Sequence, residues 1–89
     1  MRDWEKTLFE LCSNKCNELG YSETEYIDNV YDVFHEALEL DEKSDEYRHK
    51  IKEIRKNTIL DVCIDILGIE RDAITLVNSL LEELDVTLK

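Results

Sequence analysis

Residues 19–27, Leu19-Gly20-Tyr21-Ser22-Glu23-Thr24-Glu25-Tyr26-Ile27, place a helix stop and a helix start side by side. Gly20 suits the left-handed position that follows a helix end, because a residue without a Cβ reaches positive φ at no steric cost, and Tyr21 can then fold back toward Cys16. Ser22 can cap the next helix, Glu25 can reach back as its partner in a capping box, and Tyr21 can staple onto Tyr26. Two helices meeting at a tight corner are the consequence.

Toward the N-terminus, Trp4, Leu8, Leu11, Cys12, Cys16 and Leu19 recur at intervals of three and four and lay one apolar stripe along a helix of about residues 3–19, with Asp3 as cap. Toward the C-terminus, Ile27, Val30, Tyr31, Phe34 and Leu38 define the buried stripe of a helix at about 22–40. Each residue advances about 100°, so Glu25, Asp28, Asp32, Glu36 and Glu39 fall on the opposite side. After the charged run 41–46, with Ser44 or Asp45 as cap, a third helix spans about 45–67, with Tyr47, Ile51 and Ile54 inward. Its second half leaves only Thr58, Asp61 and Asp65 as a narrow polar stripe, so that end is expected to be covered on most sides. Gly68 stops it, and a fourth helix at about 72–84 carries Ile74, Val77, Leu80, Leu81 and Leu84 inward.

Proline is absent, there are two glycines, and the connections are short, which favours antiparallel neighbours. The expected fold is therefore all-α: one domain over residues 1–89, an antiparallel, up-and-down four-helix bundle. Leu60, Ile64 and Leu67 exceed what one small bundle covers and point to a homodimer seam, with a second copy completing the fold.

With 43% hydrophobic and 37% charged residues the chain is too apolar for a disordered acidic tail and too charged for lipid. Lacking an apolar run near the roughly 20 residues of a membrane span, or a signal-peptide core in Met1–Cys12, it reads as a cytoplasmic protein without a membrane partner. Cys12, Cys16 and Cys63 lie within apolar helical patterns and outside any close-spaced zinc set with histidine, so they read as reduced, buried hydrophobes. The net charge of −11 is unevenly placed. Residues 17–47 hold eleven acids and one lysine, whereas 48–56 carry Arg48, Lys50, Lys52, Arg55 and Lys56 against Glu53. That balance argues against direct nucleic-acid binding, which needs cations to displace counterions.

The carboxylates of the second helix are the main chemical signal. The stretch Val33–Leu40, V-F-H-E-A-L-E-L, followed by Leu60, Asp61 and Val62, resembles the paired acidic helix motifs of the MazG-like all-α nucleoside triphosphate pyrophosphohydrolases. The resemblance covers about 30 residues and implies magnesium held against nucleotide phosphates by Glu36, Glu39 and Asp61. His35 and Thr58 stand where that family has glutamates. Residues 72–88, D-A-I-T-L-V-N-S-L-L-E-E-L-D-V-T-L, are similar to the recognition helix of acyl carrier proteins, but Glu70 or Arg71 occupies the place of the serine that carries the pantetheine arm. Neither His35 nor His49 falls in a nucleophile or zinc motif, and both read as surface histidines.

The reading ranked first is a small interaction protein that needs no catalytic residue, metal or cofactor. It would bind a basic surface of a partner protein through Glu25, Asp28, Asp32, Glu36 and Glu39. These acids repeat about every 5 to 6 Å along the helix axis, near the spacing of backbone phosphates, so an inhibitor or nucleic-acid mimic is the sharper form. The MazG-like hydrolase with magnesium ranks second.

Overall fold

The computed structural model describes residues 3–42 and 53–87, and over these the regular secondary structure is all helix, with turns at 19–23 and 68–69. Four helices follow one another: α1 (Asp3–Glu18), α2 (Thr24–Glu42), α3 (Glu53–Leu67) and α4 (Glu70–Thr87). Helix α1 packs on α2, α2 on α3 and α3 on α4, while α4 returns to α1 and closes the ring. Among the described residues the diagonal pairs make no close backbone approach. This is the neighbour pattern of an up-and-down four-helix bundle. The Cα radius of gyration is 12.1 Å, matching the roughly 12 Å expected of a compact chain of this length.

Backbone hydrogen bonds close the corner at Gly20. Gly20 takes φ +88°, its N–H donates to the Asn17 carbonyl at 3.1 Å, and the Tyr21 N–H donates to Cys16 at 2.8 Å. These two reversed bonds make a Schellman motif and satisfy carbonyls that the end of α1 would otherwise leave open. Gly68, at φ +77°, ends α3 with a single N–H bond to the Ile64 carbonyl at 2.7 Å, the simpler left-handed cap.

The helix starts differ from the sequence reading. The first carbonyl to accept in α2 belongs to Glu23, bonded by the N–H groups of Tyr26 and Ile27. The cap position is thus one residue beyond Ser22, out of register with the Ser22–Glu25 box, although Tyr21 and Tyr26 do meet edge-to-face at 5.2 Å between centroids. Helix α4 starts at Glu70, before the expected Asp72, because the Ile69 carbonyl accepts from Ala73 at 3.0 Å. Glu70 and Asp72 then place negative charge in the first turn, where the helix dipole favours it. The expected beginning of the third helix near Asp45, its caps and the inward Tyr47 and Ile51 lie outside the described residues.

The core draws on all four helices. Trp4, Leu8, Cys12 and Cys16 come from α1, and Ile27, Val30, Phe34, Ala37 and Leu38 from α2. Helix α3 contributes Ile59, Cys63 and Leu67, and α4 contributes Ala73, Leu76, Val77, Leu80 and Leu84. Two expectations change here. Ile74 is 39% exposed while Ala73 is fully buried, so the inner stripe of α4 starts one residue earlier, on a side chain too small to mark itself as core in a sequence. Leu67 is buried, whereas Leu60 and Ile64 are only partly buried against the core, so one chain covers part of the cluster that pointed to a homodimer seam.

The cysteines are buried free thiols. Desolvation pushes Cys16 up to about 11 and Cys63 up to about 12, and it raises Cys12 further, reinforced by Cys16 and Cys63. Cys63 on α3 lies diagonally across the bundle from α1, whose Cα atoms stay beyond 8 Å. A disulfide needs about 4.4 to 6.8 Å between Cα atoms, so the cross-core pair cannot form without moving helices. These are packing thiols.

Candidate acidic interface

Helix α2 presents its acids to solvent because its apolar stripe, Ile27-Val30-Phe34-Leu38, fixes the rotation of the helix. Glu25, Asp28, Asp32 and Glu36 are exposed and Glu39 is half-buried. At about 100° per residue, Glu25, Asp32 and Glu36 face away from the core and Asp28 and Glu39 lean toward α1. The five candidate residues therefore share one face; Glu25 is exposed, and the other four divide among three environments.

Asp28 and Asp32 form one wall of a groove between α1 and α2. Its other wall carries Glu5, Lys6 and Glu10, and Phe9 and Tyr31 line it between them. Phe9 remains 44% exposed and meets Tyr31 edge-to-face, with centroids 5.6 Å apart and ring planes at 72°. The groove is open to solvent and has a volume of about 580 Å³. Burial raises the Tyr31 phenol above its ordinary pKa, with Glu5 and Asp32 adding to the shift, so that side chain remains a neutral donor beside the acids. The rim holds four carboxylates against one ammonium.

Glu39 is turned toward His35. The His35 Nε2 is 2.7 Å from Glu5 Oε2, and its Nδ1 is 3.5 Å from Glu39 Oε2. Trp4 and Tyr31 flank the imidazole with centroids at 5.0 and 5.4 Å. His35 is thus a half-buried tie between α1 and α2 and not the surface histidine the sequence suggested.

Glu36 lies on the other flank, in a groove between α2 and α3 of about 230 Å³ with Val33, Ala37, Leu40, Arg55, Thr58, Ile59 and Val62. Arg55 crosses it, with Nη1 3.5 Å from the Ala37 carbonyl. The ligand trio implied by the MazG-like resemblance is not assembled: Glu39 faces His35, Glu36 shares its groove with a guanidinium, and Asp61 is exposed on α3. Among the described residues no three His, Cys, Asp or Glu side chains come together as a metal-binding group.

Sequence reading missed the contribution of α1. Glu5, Phe9 and Glu10 sit off its apolar stripe, and the one available signal was Phe9 itself, a large aromatic one step around the helix from Leu8. Of the basic cluster, Arg48, Lys50 and Lys52 lie outside the described residues, whereas Arg55 and Lys56 are half-buried on α3. Among the described residues no helix is long and apolar enough to cross a membrane.

Compared with protein-family models, with curated proteins and with solved structures, the chain matches none.

Proposed function

We infer that this protein binds a basic surface of a partner protein through the outer face of α2 and the adjoining edge of α1. One observation carries the reading: Glu25, Asp28, Asp32 and Glu36 all stand exposed on one helix, on the side away from the stripe that builds the core. Concentrated like charge of this kind raises the local potential, steers an oppositely charged partner and speeds encounter. An inhibitor that occupies a basic site by mimicking a nucleic-acid backbone is the form of this activity that the acid spacing suits.

The test is a capture experiment from host lysate with three forms of the full chain. Replacing Asp28, Asp32 and Glu36 together by Lys is expected to remove the captured basic proteins. Replacing Asp65, Glu82 and Asp85 by Lys changes net charge equally, at exposed positions on α3 and α4, and is expected to leave capture largely intact. Equal losses in the two variants would mean that net charge alone acts and that no binding face exists.

A further inference from the structure

Resting on that reading, we propose that the groove between α1 and α2 is a socket for an arginine side chain of the basic partner. The groove combines two features that recognise a guanidinium and that a plain acidic face lacks. Carboxylates stand on both walls, Glu10 on α1, beside the His35-bound Glu5, and Asp28 and Asp32 on α2, so a planar fork of N–H donors can be met from either side. Between them lies an aromatic pair. In an edge-to-face pair at 72°, the edge of one ring meets the face of the other, which leaves ring surface available to a third group, and Phe9 is 44% exposed.

An arginine fits this combination better than a lysine. Its guanidinium is flat, weakly hydrated and able to stack on a ring while its edge hydrogen-bonds to carboxylates; an ammonium is a compact, strongly hydrated charge. The volume of about 580 Å³ lies within the roughly 300 to 1,000 Å³ of small-ligand sites, ample for one long side chain and the backbone that bears it. Lys6 lines the same groove and opposes an incoming cation, so its removal strengthens binding.

The test uses two capped peptides of equal charge, tetra-arginine and tetra-lysine, titrated into the full chain at low ionic strength and followed by NMR. Tetra-arginine is expected to shift the ring signals of Phe9 and Tyr31 and to bind more tightly than tetra-lysine. Phe9→Leu keeps an apolar side chain but removes the ring, and should weaken tetra-arginine by about two- to fivefold, bringing it level with tetra-lysine. Lys6→Ala should tighten both.

Three results would count against the proposal in distinguishable ways. Equal affinity for the two peptides, unchanged in Phe9→Leu yet lost in the Asp28, Asp32 and Glu36 triple lysine variant, would overturn the socket and leave the basic-partner reading standing. Shifts confined to the α2–α3 groove would place the contact elsewhere and overturn it equally. Absence of any binding by either peptide would remove the acidic-face reading, and the socket with it.

Discussion

Tyr21 ties the α1–α2 corner to the start of α4. It follows the Schellman glycine, packs on Tyr26, and donates its hydroxyl hydrogen to Asp72 Oδ2 at 2.6 Å, joining the α1–α2 corner to the first turn of α4. The hydrogen bond to Asp72 is the main reason its phenol is pushed up to about 12, with burial adding to it. A group whose pKa is higher folded than unfolded contributes stability that is complete below its unfolded value and is lost as pH rises through its folded value. For Tyr21 that window runs from about 10 to about 12. The buried thiols act in the same direction, Cys16 through about 11 and Cys63 through about 12. The fold is therefore expected to begin losing stability above about pH 8.5, where an unfolded thiol ionises, and to loosen most toward pH 12. Phenolate absorbance should show a late-ionising tyrosine that Tyr21→Phe removes; an unchanged titration in that variant would mean the clasp to Asp72 is not formed in solution.

At the scale of the helix, stops and starts differ in how well residues announce them. Gly20 and Gly68 were readable because only glycine enters the left-handed region freely, and both do. The starts shifted because backbone carbonyls can open a helix without a side-chain cap: α2 opens from Glu23 and α4 from Ile69, whose side chain has no oxygen to offer. The same limit hid the register of α4, where Ala73 is buried and the larger Ile74 is not. The acidic face of α2 was legible, because a strong apolar stripe fixes where the remaining residues point. The groove was not, because its second wall depends on which side of α1 meets α2, and no pattern within one helix encodes that. These differences lead to a paired prediction. A Cβ added at Gly20 meets nothing within 4 Å, so Gly20→Ala isolates the backbone term and should cost about 1 to 2 kcal/mol. Ser22→Ala lies one residue before the observed cap and should stay within about 0.5 kcal/mol. Denaturant melts of the two variants check both; a larger loss at Ser22 would restore the capping box and place the start of α2 one residue earlier.

For the whole molecule, the acidic face carries a stability cost that the fold does not require. Asp28, Asp32 and Glu36 follow one another at four-residue intervals along α2, and like charges at that spacing destabilise a helix by about 0.2 to 0.5 kcal/mol per pair. The chain already carries a net charge of −11, and such an excess opposes compaction by self-repulsion. Lys15 lies within 4.0 Å of Glu83 across the α1–α4 seam, but exposed pairs of this kind are worth only about 0 to 1 kcal/mol. If the acids serve binding, stability and binding should respond oppositely to the same substitution. Asp32→Lys turns two repulsive pairs into attractive ones and is expected to stabilise the protein by about 0.8 to 2 kcal/mol, while weakening capture of basic partners. Added salt should raise the melting temperature of the parent more than that of the variant, since charges farther apart than about 8 Å are largely screened at physiological ionic strength. Loss of stability in Asp32→Lys would show that this carboxylate supports the fold, and the argument that α2 holds charge in reserve for a partner would fail with it.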